Sequence, residues 1–103
     1  MWNKKNTCES DFMLYEALSR LYAHHKGLLP FLLNSDGPRL RMPSDILKEH
    51  SAVFSSGEQL LVRIGLDIWD GSGGINFNEL YQVLDQKNLQ TVVSALFFLS
   101  SFH

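Results

Sequence analysis

A single cysteine, Cys8, stands among 103 residues, so no disulfide can close within the chain and packing alone must hold the fold. A surplus of one charge sign is also missing. Nine Lys and Arg against eleven Asp and Glu leave a formal charge of -2, which removes the general pull toward nucleic acid that a basic domain exerts. No apolar run approaches the length of a membrane span. Lys4 and Lys5 are followed by Asn6-Thr7-Cys8-Glu9-Ser10-Asp11, where a signal peptide would need apolar residues. These absences lead to the expectation of a cytoplasmic chain with no membrane partner, in which Cys8 is an inert thiol near a frayed terminus.

Chemistry at a recognisable spacing is lacking as well. No serine sits in a nucleophile elbow, and no P-loop lysine accompanies the glycines. His24 and His25 are neighbours, so on a helix they point to different sides and cannot chelate together as an i, i+4 pair can; His50 and Cys8 are distant. Asp67 and Asp70, near Arg63, are the closest approach to a catalytic carboxylate pair, and they read better as a helix-end ion pair and a cap. The expectation is a non-enzymatic protein with no cofactor.

What is present is an ordinary globular composition, 45% hydrophobic and 19% charged, at a length suited to one domain. From Ser10 to His25, Leu14, Ala17, Leu18, Leu21 and Tyr22 recur at helical spacing, and Gly27 stops the run. Leu28 to Leu33, broken by Pro30, suits a helical turn against the core. Asn34 to Pro38 is a turn by composition, and Pro43-Ser44-Asp45 opens a short helix to about Glu49. Ser55 with Glu58 has capping-box spacing at the head of a helix to about Trp69. Only Gln59, Arg63 and Asp67 form a polar stripe on it, so it must be central. A further helix spans about Phe77 to Leu84. Asp85 caps a last one, in which Leu89, Val92, Val93, Leu96 and Phe97 share a face. The fold class is therefore all-α: a single-domain bundle of four to five helices over residues 10–103, behind a flexible segment 1–9. A faint echo between Asp36-Gly37 and Asp70-Gly71 leaves room for a two-stranded bridge between Leu40 and Ile75.

The stretch from Asp67 to Glu79 has the outline of a divalent-ion loop. In an EF-hand frame ending at Glu79, Asp70, Ser72 and Asn76 fall on ligand positions, Gly73 on the turn glycine and Ile75 on the hydrophobic position. The leading ligand position, however, holds Ile68, which has no side-chain oxygen, and two carboxylates are few for a hard cation. Asp70-Gly71 and Gly73-Gly74 serve equally as a helix stop and turn, with Asn76 and Glu79 as the capping pair of the next helix. A connector is the expected reading, and a calcium-responsive module built on Asp70, Ser72, Asn76 and Glu79 is its rival.

The segment Gly57 to Gly71 resembles small, uncharacterised bacterial and phage proteins in which a hydrophobic helix ends in Leu-Trp-Asn-Gly; here the ending is Ile68-Trp69-Asp70-Gly71. The resemblance covers about a third of the chain and implies a bacterial or phage source, without implying an activity. The leading functional expectation is a module that docks on another protein, as an inhibitor, immunity or antidefence factor. Its candidate contacts are the aromatics Trp2, Phe12, Tyr15, Phe98 and Phe102, together with Arg39 and Arg41, since aromatic anchors are what interface hot spots favour. The same aromatics could instead complete the core or a homodimer seam. A DNA-binding domain using Arg39 and Arg41 is the remaining rival, disfavoured by the net charge.

Overall fold

The computed structural model describes residues 9–34 and 36–101, with side chains from residue 11 onward. The tail before Glu9, including Trp2 and Cys8, the turn residue Ser35, and Phe102 lie outside the described residues. Among the described residues six α-helices follow one another: α1 Glu9–Leu21, α2 Leu28–Leu32, α3 Ser44–His50, α4 Ser56–Asp70, α5 Phe77–Val83 and α6 Gln86–Ser100, with a 3-10 turn, Ser51–Val53, after α3. The all-helical expectation holds, and the count exceeds four to five because α2 is a true single turn. Its Pro30 sits in the first turn, where a missing amide costs nothing.

The local signals explain the boundaries. The Ser55 hydroxyl accepts from the Glu58 amide at 3.2 Å while the Ser55 amide donates to the Glu58 carboxylate, completing the capping box that starts α4. Gly71, in the left-handed region at φ 80°, ends that helix by donating to the Asp67 carbonyl. The Asp85 carboxylate caps α6 by accepting from the Asn88 amide. Helix α1 stops at Leu21, four residues short of the expected His25. There the amides of Ala23 and His25 donate to the Arg20 and Tyr22 carbonyls, the tighter 3-10 pattern that closes many helix ends.

Helix α4 is the centre. Leu60, Leu61, Val62, Ile64, Gly65 and Leu66 are buried among α1, α2, α3 and α5, and the polar stripe lies off the core, with Asp67 exposed and Gln59 and Arg63 half-buried. Gly65 is required there: a Cβ would fall 1.9 Å from the Tyr22 hydroxyl oxygen. That fully buried hydroxyl donates to the Leu61 carbonyl at 2.9 Å, and burial pushes its pKa above the ordinary tyrosine value.

Two further details differ from expectation. Leu40 does form an isolated antiparallel bridge, but its partner is Leu33 rather than Ile75. Flanking bonds run from the Asn34 amide to the Arg39 carbonyl and from the Arg41 amide to the Leu32 carbonyl. Closing the short turn between Leu33 and Leu40 loses less chain entropy than joining segments far apart in sequence. The second difference is the facing of α6. It packs on α1 through Thr91, Val92 and Ala95, with Leu89, Phe98 and Leu99 alongside, and turns Val93, Leu96 and Phe97 outward. Apolar residues lie on every side of this helix, so periodicity alone did not select the inner face; the small Ala95 and Ala17, both fully buried, mark it.

Candidate functional site

The loop between α4 and α5 gathers a cluster of polar contacts, and a guanidinium lies at its centre. Gly71 and Gly74 have positive φ, and the Asp70 carboxylate accepts from the Ser72 amide at 3.0 Å, so the chain reverses tightly. Gly73 passes so close to α4 that a Cβ would lie 2.0 Å from the Arg63 carbonyl oxygen. Into this turn reaches the Arg63 side chain. Its Nε donates to the Gly73 carbonyl at 3.1 Å, and one Nη donates to the Gly74 carbonyl. The two Nη atoms meet the two Glu79 carboxylate oxygens at 2.7 and 3.2 Å, a bidentate pair. Lys48, from α3, donates to the Ser72 carbonyl. Three successive carbonyls and one carboxylate therefore converge on two side-chain cations.

Three of the four candidate calcium ligands, Glu79, Asn76 and Asp70, have protein partners in this arrangement. Glu79 is taken by Arg63, whose hydrogen bond chiefly, and whose charge further, hold the Glu79 carboxyl below the ordinary glutamate pKa. The Asn76 side chain accepts from the Glu79 amide at 3.0 Å and so caps α5. Half of the expected capping box forms: the Glu79 carboxylate meets the Asn76 side-chain amide at 3.2 Å while it pairs with Arg63. Asp70 folds onto its own turn, and the Ser72 hydroxyl is buried without a hydrogen-bond partner among the described residues. No cluster of three or more His, Cys, Asp and Glu placed to hold a metal exists among the described residues. Of the helix-end ion pair and cap expected of Asp67 and Asp70, the ion pair with Arg63 is replaced by Arg63–Glu79, because the long arginine side chain reaches past the helix end, while Asp70 accepts from the Ser72 amide in the turn that follows the helix.

This latch presents α5. Phe77 is 84% exposed and Tyr81 65%, one turn apart on the same side of the helix, and the Asn78 amide donates to the Tyr81 hydroxyl at 3.0 Å. Sequence reasoning placed the helix but missed this aromatic pair. Spacing gave no warning, because Phe77 stands at i, i+3 and i+7 with Leu80 and Leu84 and periodicity alone would place it on the core face.

The aromatics picked from sequence are placed differently. Tyr15 and Phe98 are half-buried against the core, and Phe98 lies under the Arg20 guanidinium at 4.5 Å. The exposed member of the Phe97-Phe98 pair is Phe97. Arg41 donates from Nε to the Phe31 carbonyl at 2.9 Å and lies over the Phe31 ring at the end of α2, and both Arg39 and Arg41 are solvent-exposed. Trp2 and Phe102 lie outside the described residues. No described helix is long and apolar enough to cross a membrane. The chain matches no family model, no curated protein and no solved structure.

Proposed function

We propose that this chain is a non-enzymatic protein-binding module whose principal contact is α5, with Phe77 and Tyr81 as anchors. The observation that carries the reading is the exposure of two aromatic side chains, one turn apart, on a helix whose base is pinned by the Arg63–Glu79 pair and the Asn76 cap. Aromatic anchors dominate binding energy at protein interfaces, and a surface already held in place loses less entropy on docking. The calcium-responsive rival is weaker because a guanidinium already satisfies the loop, and the DNA rival because Arg41 is engaged within the fold. The likeness of Ile68-Trp69-Asp70-Gly71 to a helix ending in bacterial and phage proteins supports a bacterial or phage source, in which an inhibitor, immunity or antidefence factor is the form of this reading we propose.

A benzophenone residue replacing Phe77 or Tyr81, installed in the full chain in its native host and irradiated, tests it. The expected result is one discrete protein adduct from both positions and none from the exposed Ala52. Equal labelling from all three positions, or no adduct from the first two, overturns the proposal.

A further inference from the structure

Where α1 gives way to α2, away from α5, Ser19, Tyr22, Ala23, Lys26 and Leu29 line a cleft of about 250 Å³. The first four follow one another at three- and four-residue steps, so the end of α1 and the turn after it form one wall, Leu29 of α2 the other, and the fully buried Tyr22 the floor. Two of these residues carry hydroxyls, and both protons are committed within the fold. Ser19 donates to the Tyr15 carbonyl at 3.0 Å and Tyr22 to the Leu61 carbonyl at 2.9 Å. Lys26 is the uncommitted side-chain donor: it is exposed and has no hydrogen-bond or ion-pair partner among the described residues. The flanking carboxylates are engaged elsewhere. From Ala17 to Asn34 the sequence holds no Asp or Glu, Glu16 pairs with Arg20, and Glu58 lies against His25 while it closes the capping box of α4.

These features select an occupant by its chemistry. A sugar or other polyhydroxylated ligand would leave its polar groups without partners against Ala23, Leu29 and the Tyr22 ring, and a cation would meet like charge at Lys26. A folded partner or a whole helix exceeds the space. What matches is one negative head for the ammonium and a hydrocarbon body for the walls, with the lysine stem lying along the apolar surface and its charge toward water. The volume bounds that body: a cavity of about 150 Å³ takes benzene, so about 250 Å³ takes up to about ten carbons. We propose that the cleft between α1 and α2 binds a small carboxylate with a hydrocarbon chain or ring of that size, a medium-chain fatty acid being the simplest member, with its carboxylate on Lys26 and its body against Ala23 and Leu29.

Methyl resonances of the full chain, followed by NMR during titration with hexanoate to about 30 mM, read the site and the affinity together. The expected result is saturable movement of Ala23 and Leu29 with a Kd on the order of 1 mM, while Val93 and Leu96 on the exposed side of α6 stay in place. Hexanol, which has the chain without the charge, binds about threefold to fivefold more weakly, as one exposed ion pair allows, and hexylammonium more weakly again. Lys26→Met keeps the stem and removes the charge, so it erases the preference for hexanoate over hexanol. Ala23→Phe, at an exposed position, fills the cleft and abolishes binding of both; Ala23→Leu serves in its place should the larger side chain prevent folding, which circular dichroism checks. A titration without saturation by about 30 mM overturns the proposal. So do equal shifts on α6, hexanol binding as tightly as hexanoate, a preference that survives Lys26→Met, or binding unchanged in a folded Ala23 variant. None of these outcomes bears on the α5 reading.

Discussion

Helices α4 and α6 are each fifteen residues long and each rich in leucine, valine and other apolar side chains. Yet α4 is buried around most of its circumference, and α6 leaves Val93, Leu96 and Phe97 in solvent. The difference is in the neighbours. Four helices surround α4, whereas α6 lies chiefly against α1. Burial is a property of what is packed alongside a residue, and two helices of similar composition can be a core and a surface in the same small domain.

The sharpest way to break this comparison is to truncate one residue on each helix. Ile64→Ala should cost about 2–5 kcal/mol in urea unfolding, as a large-to-small change in a filled core. Phe97→Ser should stay within about 0.5 kcal/mol, as surface changes do. Similar losses at the two sites would mean that α6 is covered after all.

Adding an atom to α4 probes the same filled surroundings from the other side. Gly65→Ala should lose about 1–3 kcal/mol through overpacking against Tyr22, and less in a Tyr22→Phe background, where the colliding oxygen is gone. A double-mutant cycle measures that coupling. Arg63→Met, which keeps the aliphatic stem but empties the loop of its guanidinium, should cost on the order of 2 kcal/mol. It should also raise amide hydrogen exchange at Ser72 and Gly73 before it does so in α6.

The smallest effect concerns Glu79. Its carboxyl pKa is lower in the folded chain than in the unfolded one, so its stabilising contribution is complete above the ordinary glutamate range and is lost as pH falls through the folded value. The melting temperature of the wild type should therefore decline more steeply through that acidic window than that of Glu79→Gln. Millimolar calcium should shift neither protein; a calcium-dependent rise lost in Glu79→Gln would restore the ion-site reading.

The parts of the fold readable from sequence were those set by short-range chemistry. Ser55 with Glu58, Asn76 with Glu79, and Asp85 lie within one turn of the helices they start, so their spacing alone predicts the caps. The polar stripe of α4 was equally readable, because nearly every other position on it was apolar. The facing of α6 was not, since a helix apolar on all sides gives the same periodic signal in several orientations. The Leu33–Leu40 bridge was missed for a related reason: Leu40 and Ile75 are both alternating-pattern residues, and only chain closure separates the pairings. At the candidate site the loop from Asp70 to Glu79 was recognised, but the group that fills it comes from Arg63, upstream of the segment being read.

That origin has a consequence for how the loop responds to its surroundings. A dissociable ion reports on supply, occupying its seat in proportion to how much is dissolved nearby. A cation tethered to the preceding helix has a fixed local abundance that dilution, chelators and changes of medium do not alter. The turn that presents Phe77 and Tyr81 is set by a cation that the chain itself carries. Its setting is thereby coupled to the central helix from which the tether extends, so the display of those two rings draws on the stability of the core.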